Sequence, residues 1–258
     1  MIRVGVLGYG YWGPNLVRNF HAQEQSEVVL VCDKSRQAGD RLRKAYPAIP
    51  FTTDENEILT STKIDVVCVI TPVASHHSLA KRALENGKHV FVEKPFTCNS
   101  AQAEELIELA DRRNLKIMVD HTFLFTGAVR KIRQLVDEGA LGRLFYYDAL
   151  RVNLGLFQHD VSVIWDLAPN EKVKVYDKGV SLSDGQGLHK LLVSYRSGDM
   201  WSPQLEQVEA LTEETAYFLQ CILENRTPFN DGLNGLRIVR ILEAADKSIR
   251  NRGEAVAF

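Results

Sequence analysis

Apolar residues in the first half of the chain come in short unbroken runs, separated by polar stretches with helical spacing. Met1–Leu7, Val28–Cys32, Ile64–Ile70, Lys88–Val92 and Leu115–Val119 are rich in β-branched residues and show no alternation of polar and apolar positions. A strand covered on both faces has no polar side, so runs of this kind predict a parallel sheet clad by helices. The intervening stretches predict helices over Pro14–Phe20, Ser35–Ala45, Asp54–Leu59 and Leu79–Asn86, and from Ser100 to about Arg113. Ser75 and Ser100 are the expected caps, and Gly87 is the expected stop. Strand and helix in strict turn indicate an α/β, doubly wound parallel sheet.

The pattern changes after residue 120. An amphipathic helix is expected over Gly127–Glu138 and a strand over Leu144–Leu154, followed by two short strands, Val173–Tyr176 and His189–Tyr195. The chain then closes with a helix through Glu206–Asn225, a loop over Arg226–Asp231 and a helix over Leu233–Arg250. Two domains follow: 1–120 as the doubly wound unit and 121–258 as a smaller α+β unit. The composition, 45% hydrophobic and 25% charged over 258 residues, is ordinary for a globular chain. A net charge of -2 gives no electrostatic reason to expect nucleic acid or an anionic membrane as partner. No apolar run approaches the ~20 residues that span a bilayer, and no signal-peptide cleavage pattern is present. Cys32, Cys68, Cys98 and Cys221 are scattered without metal-ligand spacing, and Cys32 and Cys68 lie inside apolar strands, so the expectation is that these two are small reduced core residues, with no metal and a cytoplasmic setting.

Candidate chemistry begins at the first strand. Gly8, Gly10 and Gly13 form a Gly-x-Gly-x-x-Gly turn, with Tyr11 and Trp12 inside it, between an apolar run and a helix. Gly8 permits a tight turn, Gly10 lets the backbone approach a pyrophosphate, and Gly13 lets the helix pack closely on the strand. The helix N-terminus then offers N–H groups and a positive dipole end to the phosphates. Asp33 ends the second run about twenty residues further on, where a dinucleotide fold sets a carboxylate against the adenine ribose. That charge repels a 2′-phosphate and so favours NAD over NADP, while Lys34 and Arg36 oppose the preference. Asp33 also suits the start of the next helix, a role compatible with the first. In a parallel sheet, ligands bind beyond the carboxyl ends of the strands. Thr71–His76, Glu93–Pro95 and Asp120–His121 should therefore border the same crevice as the glycine turn.

Together, Gly8-x-Gly10-x-x-Gly13, Asp33, Thr71-Pro72-x-x-x-His76 and Glu93-Lys94-Pro95 resemble the glucose–fructose oxidoreductase / inositol dehydrogenase / MocA (Gfo/Idh/MocA) family. Arg151 to Gly155 and Trp165-Asp166-Leu167-Ala168-Pro169 resemble its nucleotide-sugar subgroup, which includes UDP-N-acetylglucosaminuronate 3-dehydrogenases. The resemblance implies NAD as cofactor and hydride transfer between a sugar ring carbon and nicotinamide. It also implies a second domain of mostly antiparallel sheet whose outer face builds homo-oligomers. Lys94 would carry the proton, since oxidising a hydroxyl requires a poised acid/base. Partial burial at a strand end would lower its pKa, and Glu93 beside it would work against that lowering. The plainer reading of Lys94 is a surface salt bridge. By resemblance Thr71, Pro72 and His76 line the cofactor, although His76 equally suits a polar helix start. Arg151 and Asn153 are implied substrate contacts, or else an exposed strand face.

The family pattern next runs Asp-x-x-x-His. Asp166 matches the aspartate as partner of Lys94, but Asn170 occupies the histidine position. Asparagine hydrogen-bonds a sugar hydroxyl yet has no acid/base function near neutral pH. Asn170 also leads directly into Glu171–Gly179, which resembles a much later part of the family's second domain, as if an internal block were missing. Two readings follow: an active sugar dehydrogenase with a shortened second domain, or a catalytically impaired dinucleotide-binding relative.

Overall fold

The computed structural model describes residues 1–143, 173–184 and 191–257. Six parallel strands form the main sheet: β1 (Ile2–Leu7), β2 (Ser26–Cys32), β3 (Phe51–Thr52), β4 (Val66–Val69), β5 (His89–Glu93) and β6 (Ile117–Asp120). Their spatial order is β3-β2-β1-β4-β5-β6, so the order reverses at β1. That reversal opens a crevice above the carboxyl ends of β1 and β4, the usual ligand position in open α/β sheets. The helices are α1 (Gly13–Ala22), α2 (Arg36–Ala45), α3 (Asn56–Leu59), α4 (His76–Glu85) and α5 (Ser100–Arg113).

The period of two along the strands sorts their side chains into two apolar layers. Val67, Val69, Val90, Val92 and Val119 face Leu79, Leu84, Leu106 and Ala110 of α4 and α5. Val4, Val6, Val66, Cys68, Phe91 and Met118 face Leu16, Val17, Phe20 and Leu42 of α1 and α2. This two-sided burial is why the sequence runs are apolar throughout.

Several expected caps fall elsewhere. Asn99, not Ser100, caps α5, its side chain accepting from the Gln102 N–H at 3.0 Å. Asparagine is the stronger cap, and its position leaves Ser100 inside the first turn. Ser75 does stand before α4, but its hydroxyl donates backward to Thr71 Oγ1 and to the Pro72 carbonyl, both at 2.7 Å. Helix α4 also starts three residues before the expected Leu79. Gly87, at φ +73°, follows its end as expected.

The packing does not divide the chain at 120/121. One compact unit is 1–125 together with 209–258, and the other is 126–208. The closing helices α7 (Ala210–Leu223) and α8 (Gly232–Arg250) therefore belong with the main sheet. Phe218 of α7 packs against Phe91 with ring centroids 5.6 Å apart, and Leu236 and Val239 of α8 join the α4–α5 layer. A linear reading places a returning segment with its sequence neighbours, although its apolar face completes the first core. Helix α7 also begins later than expected, because the carboxylate of Glu209 is held by Arg18 and Asn19 of α1.

In the unit 126–208, α6 (Gly127–Asp137) is capped by the Thr126 hydroxyl, and β7 (Val175–Asp184) pairs antiparallel with β8 (Leu191–Trp201). Both strands are longer than the sequence runs suggested. The strand expected over Leu144–Leu154, and with it Arg151, Asn153, Asp166 and Asn170, lies outside the described residues.

Candidate functional site

The three glycines behave as three different constraints. Gly8 has φ +102°, and a Cβ there would lie 2.4 Å from the Ile70 carbonyl oxygen, so both conformation and space exclude a side chain. At Gly13 a Cβ would lie 2.5 Å from the Gly8 carbonyl oxygen, which keeps the start of α1 against the turn. Around Gly10 nothing lies within 4 Å of such an atom. The middle of the turn is therefore open, as a backbone that receives a pyrophosphate must be. Helix α1 begins beyond Trp12 without a side-chain cap, and its N-terminal dipole end faces the turn.

Asp33 sits beyond β2 and binds the turn to its own loop. Its Oδ2 accepts from the Tyr9 N–H at 2.7 Å and its Oδ1 from the Ser35 N–H at 2.8 Å. The carboxylate thus bridges the glycine turn and the start of α2, and its remaining lone pairs suit two ribose hydroxyls. Gly10, Asp33 and the uncapped helix together fit a dinucleotide. Tyr11 is 82% exposed beside them, whereas Tyr9 is buried.

His76 is buried, and both ring nitrogens meet backbone oxygens: Nε2 lies 2.6 Å from the Thr71 carbonyl and Nδ1 3.0 Å from that of Pro95. The ring clamps the loop after β4 to the loop after β5. Thr71 and Pro72 stand at the end of β4, with the Thr71 hydroxyl accepting from Ser75.

Lys94 follows β5, and the Lys94–Pro95 peptide is cis. Its side chain is 67% exposed, with Nζ 3.5 Å from Glu93 Oε1. The partial burial expected of Lys94 is not found: the residue projects past the strand end, where the backbone turns at Pro95. The buried charge lies one residue earlier. Glu93 points inward, and desolvation, aided by a hydrogen bond with Asp120, pushes its pKa up to about 9. Asp120 stands opposite Glu93 in the β5–β6 register and is itself buried. Its Oδ2 accepts from Trp12 Nε1 at 2.8 Å and its Oδ1 from Thr122 Oγ1 at 2.5 Å. The indole of Trp12 therefore joins the glycine turn to the β5–β6 corner.

Glu214 of α7 completes this corner and is fully buried, its pKa pushed to about 10 by desolvation and by Asp120. The sequence reading passed over it. The available signal was its place in the buried stripe Leu211, Glu214, Thr215, Phe218, Leu219, where an acid interrupts an apolar helix face. Among the described residues, no group of His, Cys, Asp and Glu could hold a metal ion, and no helix is long and apolar enough to cross a membrane.

Residues 2–121 match the family described as "Oxidoreductase family, NAD-binding Rossmann fold". The Escherichia coli oxidoreductase YdgJ is 32% identical over 155 residues, covering 57% of this chain and 42% of that protein. A UDP-N-acetylglucosamine 3-dehydrogenase of Acidithiobacillus ferrooxidans is 28% identical over 177 residues, covering 64% and 50%. Among solved structures, scyllo-inositol dehydrogenase from Lactobacillus casei, with bound NAD(H) and scyllo-inositol, superposes with a TM-score of 0.52 at 25% identity. That match covers 55% of this chain and 42% of the other. The chain thus spans half or less of the length of these relatives. The matched segment contains the glycine turn, Asp33 and Glu93-Lys94-Pro95, and over residues 2–121 the chain carries the NAD-binding Rossmann domain of the Gfo/Idh/MocA oxidoreductase family.

Proposed function

We propose that this chain is an NAD-dependent oxidoreductase acting on a sugar ring hydroxyl, with a nucleotide-linked sugar as its substrate. The observation that carries the reading is the meeting of the open glycine turn, Asp33 and Lys94 at the carboxyl ends of one parallel sheet. Bound NAD supplies the hydride acceptor. The chain's own part is to orient that cofactor through Gly8–Gly13 and Asp33, and to receive the hydroxyl proton at Lys94 Nζ. The exposure of Lys94 leaves its amine accessible to a substrate hydroxyl. Arg151, Asn153, Asp166 and Asn170 are proposed, on resemblance, as the residues that serve the sugar. The relative named for a UDP-sugar supports the nucleotide-sugar class, and the β7–β8 pair offers strand edges for a homo-oligomer. A cytoplasmic setting accords with the four free cysteines.

The second reading, a dinucleotide-binding relative without turnover, is favoured by Asn170 at the position of an acid/base histidine. NADH titration followed by NAD reduction with UDP-sugar uronates separates the two. Saturable binding with turnover supports the enzyme, binding alone supports the second reading, and no binding contradicts both. Lys94→Met is expected to lower turnover by about 10²–10⁴-fold, the usual worth of a positioned acid/base, with NADH affinity nearly unchanged. Equal loss of both would contradict the role.

A further inference from the structure

Three carboxyl groups meet behind Lys94: Glu93 from β5, Asp120 from β6 and Glu214 from α7. Three buried negative charges at one spot are not sustainable, because each adds desolvation and repulsion to the others. The placement of the donors distinguishes the three groups. Both oxygens of Asp120 accept, Oδ2 from Trp12 Nε1–H and Oδ1 from Thr122 Oγ1–H, an arrangement that suits a carboxylate. Glu214 receives two further N–H groups on Oε1 alone, from His121 at 3.1 Å and Asn230 at 3.2 Å. An independent observation comes from the remaining oxygens. Glu93 Oε2 and Glu214 Oε2 are both buried and no group donates to either, although each carboxyl group interacts with Asp120. An oxygen that is orphaned as an acceptor is satisfied once it carries a proton and donates. Two such O–H groups, with Trp12 and Thr122, fill the roughly four acceptor sites of a single carboxylate.

We infer that Glu93, Asp120 and Glu214 form one proton-sharing unit, with Asp120 ionised and the two glutamates donating to it, and that this unit positions Lys94 by giving it a neutral neighbour. The glutamic acid carbonyl oxygen then faces Lys94 Nζ at 3.5 Å in place of a carboxylate. Lys94 then faces a neutral acid in place of an ion-pair partner. The other titratable groups facing the unit leave the charge count intact. His121 is held neutral by burial, and the Cys68 thiol of β4 is pushed well up by burial. The role in positioning Lys94 rests on the oxidoreductase reading; the proton sharing itself does not.

Carboxyl ¹³C NMR of the whole purified chain, labelled at glutamate Cδ and titrated from pH 5 to 10, tests the inference without substrate or cofactor. Loss of one resonance in Glu93→Gln and another in Glu214→Gln assigns the two groups. Both are expected to stay protonated through neutral pH and to titrate only above pH 8. Titration of either with the bulk glutamates below pH 6 would overturn the unit. Burial alone also raises such midpoints, so Asp120→Asn supplies the discriminating arm. With the accepting charge removed, both midpoints are expected to fall by about one pH unit or more. Unmoved midpoints in a folded Asp120→Asn chain would overturn the sharing. If that variant fails to fold, the wild-type titration still decides the first claim. Lys94→Met is expected to raise the Glu93 midpoint and leave that of Glu214 in place; equal shifts, or none, would contradict the link to Lys94. Failure here leaves dinucleotide binding untouched, and failure of NADH to bind leaves the titration untouched.

Discussion

The glycine turn and the β5–β6 corner sit at the same edge of one sheet but are built from different materials. The turn is made of backbone: an excluded Cβ at Gly8, open space at Gly10 and the dipole end of α1, which has no side-chain cap. The corner is made of side chains from β5, β6, α7 and the Trp12 indole, three of them carboxylic acids. Backbone dipoles bind an anion without changing protonation, so the turn should be indifferent to pH across the neutral range. The corner's state is set by pH, and its parts come from distant positions. The proposed binding and proton-handling roles thereby fall to different materials within a few strand spacings.

This contrast can be broken most severely at the turn. Gly8→Ala forces a Cβ against the Ile70 carbonyl in a left-handed conformation, and is expected to cost more than about 2 kcal/mol. Chemical denaturation measures it, and a cost below half that value would mean the turn relaxes freely.

The corner should instead show itself through pH. Glu93 and Glu214 have pKa values raised to about 9 and about 10, against ordinary values near 4.5. Between pH 4.5 and those values the native chain holds protons that the unfolded chain has released. Their contribution to stability is thus complete below pH 4.5 and is lost as pH rises through about 9 to 10. The melting temperature should fall from pH 5 to pH 9. Glu214→Gln, which cannot ionise, should flatten that fall and raise the melting temperature at pH 9 by several degrees or about 1–2 kcal/mol. An unchanged slope in Glu214→Gln would contradict the assigned ionisation.

A smaller effect is expected at Asp33. Asp33→Ala removes the ribose partner and the Tyr9 tether, and should weaken NADH about tenfold, or roughly 1.4 kcal/mol, with less loss for NADPH. Equal weakening of both cofactors would remove Asp33 from the choice between them.

The same contrast explains what the sequence revealed. The apolar runs gave the strands, because two-sided burial leaves a continuous signature, and the glycine spacing gave the turn, because backbone constraints are local. The motif marks Glu93 and Lys94, but not that Glu93 is the buried member of the pair, since depth at a strand end depends on where the chain turns next. Glu214 escaped because its partners are about a hundred residues away, and only an acid in the apolar stripe of α7 hinted at it. The return of α7 and α8 to the first core was likewise invisible to a linear division.

The central claim is that the first unit holds an NAD-type dinucleotide on the glycine turn, and calorimetric titration of NADH into the purified chain tests it most directly. The account predicts saturable binding of one NADH per chain, nearly unchanged in Lys94→Met and weakened in Asp33→Ala. Absence of saturable NADH binding to the folded chain would contradict it.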